Sequence, residues 1–347
     1  MHMADALLSP QVGGTMWAVS AGTIACCSAK LHRELDERKV PLMGVMGAFL
    51  FAAQMINFSI PATGSSGHLG GGLLLTILLG PCAAFLTIAS VLVVQALFFA
   101  DGGLLALGCN IFNMGFFPAF VVFPLVYKKF IGTNPSRARL TAVTMISALI
   151  GLQLGPFAVV LETFASGISS LPFSTFLWLM QPIHLAIGAV EGAVTVAVVS
   201  FVRKARPEIL RGALEARPIG NHPMRNMLLV FLLGAVITAG VVSGFACKDP
   251  DGLEWAIKRV TGNPEMKGPQ LGVHKTLAYW QGKVAIFPGY DLAKPAKVAG
   301  SADPEGAKKE QPEINPGTGV AGVVGTLVTL LLTFMSGVVL KKRNQAA

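Results

Sequence analysis

Charge is scarce in this chain. Asp, Glu, Lys and Arg make up 13% of its 347 residues against 53% hydrophobic ones, whereas a soluble domain carries about a quarter charged residues. So few charges cannot cover a water-exposed surface, and a soluble globular fold is excluded. Several signatures of chemistry are missing as well. There is no GxxxxGK[ST], so the chain does not cradle ATP in a P-loop, and there is no HExxH metalloprotease motif. The five cysteines, Cys26, Cys27, Cys82, Cys109 and Cys247, form no CxxC, and four of them sit in apolar runs, where they read as packing residues. No charged n-region and cleavage site precede the first apolar run, so the amino terminus is expected to stay in place, with Met1 retained before the bulky His2.

What is present is a series of long apolar runs, with mean hydropathy +0.62, as in a polytopic membrane protein. The net charge of +9 does not point to nucleic acid, because Lys and Arg cluster between the runs, where the positive-inside rule puts them. Runs of 18 or more apolar residues read as membrane helices. The first spans about 11–29 and carries a ridge of small residues, Gly14, Ala18 and Gly22, that would admit a close helix. The basic stretch 30–39 is expected inside, so the amino terminus faces outside. A second helix covers about 41–60. Apolar character then continues over 69–100, which is too long for one span. Charge parity with the next basic cluster, Lys128, Lys129, Arg137 and Arg139, requires a break at Gly80-Pro81, with 69–80 either spanning or re-entering. Further helices are expected over about 104–127, 140–164 and 176–202, making seven in residues 1–203.

A basic linker at 204–225 separates a second unit, 226–347, with two helices around an outer stretch, 247–316. That stretch holds eight prolines and is expected to be a loosely structured loop, except for a short amphipathic helix over about 251–260. The basic Lys341-Lys342-Arg343 puts the carboxyl terminus inside. The fold class is therefore all-α: a transmembrane bundle of about seven helices plus a two-helix membrane unit with an outer loop.

The candidate chemistry lies at the amino terminus. The free amine of Met1, the His2 backbone nitrogen and His2 Nδ1 can close two adjoining chelate rings on one ion. Tetragonal nitrogen sets suit Ni²⁺ or Cu²⁺, and His68, in the loop Gly64-Ser-Ser-Gly-His-Leu-Gly-Gly-Gly72, is the candidate fourth ligand. Imidazole ligands need a partner for their other ring nitrogen, and Asp5, Ser66, Asp101, Asn110 and Asn113 all lie near the outer ends. Inside the last span of the first unit, His184, Gly188, Glu191 and Thr195 share one helix face. An ionisable residue there is either functional or paired with a neighbour. His32, His222 and His274 fall in polar stretches and read as solvated, although His274, on the outer side, could also scavenge metal.

The start Met1-His2-Met3-Ala4-Asp5-Ala6-Leu7-Leu8-Ser9-Pro10, the loop around His68, the run Gln95 to Gly103 with Asn110 and Asn113, and the segment His184 to Glu191 resemble the substrate-capture subunit of nickel and cobalt energy-coupling-factor transporters, the NikM/CbiM family. Residues 226–347, with Pro250-Asp-Gly-Leu-Glu-Trp255 and Phe287-Pro-Gly-Tyr290, resemble the small NikN/CbiN subunit, so the chain looks like a fusion of the two. The resemblance implies a metal site of Met1, His2 and His68, Ni²⁺ with Co²⁺ possible as the transported ion, and no catalytic residue. It also implies a membrane coupling subunit and cytoplasmic ATPase subunits as partners, and a prokaryotic cell membrane as the location. Two rival readings make distinct demands. A stand-alone secondary permease would use His184 and Glu191 and should show duplicated halves, which are not evident. An intramembrane hydrolase would use Ser66 and His68, whose closeness in sequence suits a nucleophile and base poorly.

Overall fold

The structure, a computed structural model, describes residues 2–34, 39–215, 217, 224–266, 268–269, 271–291 and 316–342. Its framework is helical: α1 (Pro10–Glu34), α2 (Lys39–Gln54), α3 (Gly72–Leu79), α4 (Pro81–Phe99), α5 (Leu107–Ile131), α6 (Arg137–Ser166) and α7 (Phe173–Ala205). Then come α8 (Pro207–Glu215), α9 (Arg225–Gly240), α10 (Gly252–Thr261), α11 (Gly272–Val284) and α12 (Pro316–Lys342). Seven helices of the described chain precede residue 206, and six helices among the described residues are long and apolar enough to cross a membrane. Exposed apolar side chains such as Phe157, Phe164, Leu185, Leu233 and Leu331 lie on outward helix faces, as a lipid surface requires.

Three local features differ from the sequence expectation. α2 ends at Gln54 rather than near residue 60. The chain then forms a small antiparallel hairpin, β1 (Phe58–Ile60) with β2 (Ser65–Gly67), which pairs Ser59 with Ser66. The 69–100 segment does break at Gly80-Pro81. Gly80 adopts φ +83°, which favours glycine, and Pro81 starts α4 at a position whose N–H has no helical acceptor to lose. α3 has only eight residues, all buried, and at about 12 Å it cannot cross a hydrocarbon core of about 30 Å. Its backbone is instead enclosed by α4, α5, α7 and α8. The ridge of Gly14 and Gly22 faces outward, with nothing within 4 Å of an added Cβ; α1 meets α5 instead where its Met16–Trp17 backbone passes Gly108, and through Ser20, whose hydroxyl donates to Gly108 O.

Most of α5 is π-helical, Phe112–Tyr127, with Pro118 and Pro124 inside it. Proline removes a helical N–H donor, and π segments accommodate such gaps. This stretch positions Asn113 and lets α3 approach closely: a Cβ on Gly72 would collide with Met114 O. The basic ends gather at one face. His32 near the end of α1 sits 3.0 Å from Leu340 O near the end of α12, and α8, an amphipathic helix within the predicted linker, packs on α3 and α7.

The described part of the outer stretch, up to residue 291, is far more ordered than its prolines suggest. α9 and α12 pack on α2, and the chain between them folds over the end of the bundle that carries His2. Cys247 N–H donates to Asn57 O, Trp255 Nε1 to Thr63 O, Gln281 Nε2 to Ala96 O and Gly102 O, and Phe287 N–H to Phe98 O. α11 was not foreseen. His274, expected in solvent, is buried on α11 with Nε2 2.8 Å from Leu8 O. His32 likewise belongs to α1 rather than to a loop. Residues 292–315 and His222 lie outside the described residues.

Candidate metal centre

The first residues fold back into the bundle. Met3 is fully buried; its N–H donates to Asn110 Oδ1 at 2.8 Å, and its carbonyl accepts from Gly103 N–H and Asn110 Nδ2. Asn110 thus holds backbone rather than an imidazole. Asp5 accepts from Ala106 N–H, so it too fixes the segment to the start of α5, and burial raises its carboxyl above the usual range. Asn113 donates to Glu162 and lies near Met3 Sδ.

This folding brings two of the predicted ligands together. The rings of His2 and His68 stack, with centroids 5.1 Å apart and planes 11° apart. His2 Nδ1 lies 3.1 Å from Asp101 Oδ1, so a cation on that nitrogen, proton or metal, is met by a carboxylate. Burial alone would raise the Asp101 carboxyl, but His2 and the Tyr290 hydroxyl, which donates to it, hold it well below the usual range. His2 Nε2 faces Gln95 Oε1 at 3.2 Å, Gln95 Nε2 donates to Gln54 Oε1 at 2.9 Å, and Gln54 Nε2 donates to Gly70 O at 3.0 Å. The chain of amides ties the His2 ring to the His68 loop. Gln54 and Gln95 were not singled out from the sequence, although an amide inside an apolar helix is the signal that could have found them.

His68 is anchored differently. Its Nδ1 lies 3.2 Å from Leu69 O, and its Nε2 lies 3.8 Å from Asp251 Oδ2. Burial lowers the His68 pKa, which favours the neutral ring that a metal needs. Asp251 caps α10: its Oδ1 accepts from Leu253 and Glu254 N–H, and Glu254 returns a bond to its backbone, forming a capping box. The cap leaves Oδ2 turned to His68. Ser66 donates to Asp249 O and so fastens β2 to the described part of the outer stretch, a strap over this end of the bundle, instead of meeting an imidazole. Met1 lies outside the described residues.

The loop between β2 and α3 is gripped from α7. Glu191 Oε2 accepts from Gly70 N–H at 2.7 Å and Oε1 from Gly71 N–H at 3.1 Å, an anion at the start of a helix. Gly71 has φ +72°, and a Cβ there would run into Leu50 Cδ1, so glycine is required. Both Glu191 oxygens are thereby occupied. His184 bonds to Met180 O, not to Glu191, so these two residues on one face of α7 do not satisfy each other; Glu191 is satisfied by the neighbouring loop instead.

A cleft of about 570 Å³ opens from this centre. Asp5, Asp101, Asp251, Glu254 and Glu265 line it together with His2 and His68, and no Lys or Arg among the described residues does. In a chain with net charge +9 this local excess of carboxylates selects for cations. Three of the five acids come from beyond residue 250 and were not foreseen as part of a site.

The description "Cobalt uptake substrate-specific transmembrane region", CbiM, matches residues 2–209, and the PDGLE domain matches residues 225–342. The chain belongs to the CbiM family. It is a membrane protein of the CbiM/NikM nickel and cobalt transport type, joined to a CbiN-like PDGLE domain. It is 30% identical over 341 residues to a chain of Archaeoglobus fulgidus named as a putative fused nickel transport protein, NikMN, covering 96% of this chain and 97% of that one. The fused nickel transport protein NikMN of Rhodobacter capsulatus is 29% identical, covering 79% of this CbiM-family chain and 81% of the relative. Among solved structures, a truncated transition metal transporter is similar with TM-score 0.52 and 29% identity, over 59% of this chain and 99% of that one.

Proposed function

We propose that this CbiM-family chain is the metal-recognition subunit of an ATP-driven importer and captures Ni²⁺ at its outer face. The ligand set is the amine of Met1, the backbone nitrogen and Nδ1 of His2, and His68, four nitrogens near one plane. The observation that carries the reading is the stacking of His2 on His68 at the head of a cleft in which the Asp, Glu, Lys and Arg among the described lining residues are all acidic. When Nδ1 binds the ion, Gln95 still accepts from Nε2–H, so the amide chain to Gly70 fixes the ring in the orientation that ligation requires. Planarity and a deprotonated amide favour nickel over cobalt.

Residues 1–203 form the capture domain, 204–225 a linker on the cytoplasmic face, and 226–347 the second unit, whose strap completes the cleft. The basic ends of α1, α5 and α7 put that face inside and the amino terminus outside. Energy comes from separate ATPase subunits through a membrane coupling subunit, since this chain carries no P-loop. The test is Ni²⁺ binding to the purified chain, followed by visible absorption, with and without one glycine placed before Met1. A planar-type nickel spectrum that the added glycine abolishes or alters supports the site. Identical spectra would place the metal elsewhere and remove the amine from the ligand set.

A further inference from the structure

Below the metal centre lies a second, smaller chamber. It has about 30 Å³ of free volume and is lined by residues of α3, α5, α6 and α7, and by Asp251 and Gly252 of the strap. His68 and Asp251 line both this chamber and the outer cleft, so they form the partition between the two. The chamber adjoins the outer cleft across His68 and Asp251. Its size matches about one water molecule or one ion without its full hydration shell.

Two side chains in it have unspent bonding capacity. His184 is 1% exposed, and its Nδ1 is committed to Met180 O at 2.7 Å. With the proton on Nδ1, Nε2 carries the lone pair, and this nitrogen has no hydrogen-bond partner among the described residues. An imidazole whose far nitrogen is tied to a backbone carbonyl is the arrangement that orients histidine toward a metal. Asn113 is 2% exposed, and its Nδ2 donates to Glu162, while its Oδ1 has no partner among the described residues. A buried polar atom left unpaired costs about 1–3 kcal/mol, so two of them on one small chamber call for a ligand. Gly252 keeps the approach open: a Cβ there would lie 3.2 Å from His184 Nε2 and 3.0 Å from Cε1.

We propose that His184 Nε2, with Asn113 Oδ1, is a second binding position for a divalent transition-metal ion, which receives the ion from His68 on its inward path. Imidazole and amide oxygen suit such an ion but lack the amine and deprotonated amide of the outer set, so this position binds more weakly. A stop of lower affinity also lets the ion leave, as conduction through successive sites requires. The inference builds on the outer site proposed above.

The test is equilibrium dialysis of the detergent-purified full chain against Ni²⁺ in four forms: parent, His2→Ala, His184→Ala and the double variant. The expected result is two equivalents for the parent, the weaker of which falls at least tenfold in affinity in His184→Ala while the planar spectrum of the stronger persists. That spectrum also reports that the variant is folded. Should His184→Ala not fold, Gly252→Ala, which sets a methyl against Nε2 and leaves the imidazole in place, must weaken the same equivalent. Failure of the outer-site reading appears separately, as a His2→Ala variant that binds like the parent. The inference is overturned if the parent binds a single equivalent, leaving the chamber to water, or if removing or obstructing His184 leaves the weaker equivalent unchanged in both backgrounds.

Discussion

The variant Glu191→Gln tests how the His68 loop is held. The carboxylate accepts from Gly70 and Gly71 N–H at 2.7 and 3.1 Å, inside the bundle and out of contact with water. A glutamine amide there would keep one acceptor oxygen and turn an NH2 group toward the other N–H, so one charge-assisted bond is lost and the remaining one becomes neutral. A hydrogen bond to a charged group contributes about 1.5–3 kcal/mol, so the loop should lose roughly 2 kcal/mol of local stability. At 1.4 kcal/mol per factor of ten, this amounts to about thirtyfold. The assay is amide hydrogen exchange of the peptide containing Gly70 and Gly71, which needs no metal, followed by Ni²⁺ affinity against a competing chelator. Exchange at these amides should accelerate about thirtyfold, and nickel affinity should fall by up to the same factor because His68 is two residues away. Protection within threefold of the parent would refute the clasp, and faster exchange with unchanged nickel affinity would show that the loop position does not govern the metal.

Asp251→Ser keeps a good N-cap for α10 but removes a carboxylate from the cleft. The helix should persist by circular dichroism, while Ni²⁺ association slows several-fold at low salt and little at high salt; equal rates at low salt would sink the steering argument. Asp5→Asn retains an acceptor for Ala106 N–H and sheds the cost of burying charge, so thermal stability should hold or rise, whereas Asp5→Ala should lose about 1–3 kcal/mol. Because burial raises the folded pKa of Asp5 above 3.8, this group disfavours folding at neutral pH, and the penalty fades as pH falls through that raised pKa. Asp5→Asn should therefore flatten that part of the stability profile, and an unchanged profile would contradict it. Gly71→Ala forces a left-handed φ on a residue with a side chain and drives a methyl into Leu50, so it should cost more than about 1 kcal/mol and show increased exchange at Gly70.

The long helices were legible because lipid imposes a single rule, apolar runs of sufficient length. The break at Gly80-Pro81 followed from charge parity, with the glycine and proline supplying the stereochemistry. The hairpin at 58–67 was not legible, since its first strand continues the apolar run of α2, its second lies in a Gly/Ser-rich stretch that reads as a loop, and tertiary contacts with the strap define it. The same holds for the strap itself. Its prolines argue for disorder when counted, but His274, Gln281 and Trp255 each find a backbone acceptor on the first unit, and those contacts pair residues roughly 180 to 270 positions apart. At the proposed metal centre, His2, His68 and Asp101 could be named because their chemistry is conspicuous. Gln54 and Gln95 were passed over because an amide looks unremarkable until its chain of partners is traced, and Asp251 because its spacing to Glu254 announces a helix start and nothing more.

The clasp on Gly70 and Gly71 has a counterpart at the other end of α3. α7 continues through Arg206 into α8, whose Ala213 carbonyl approaches Gly80, the residue that closes α3. Two helices joined at the non-helical Arg206 therefore hold the short buried helix at both ends, like a bolt held between two jaws. α3 cannot slide along its own axis unless α7 and α8 travel with it. A push or pull on α8, which packs on both α3 and α7, reaches the His68 loop directly through α3 and, past the non-helical joint at Arg206, through α7.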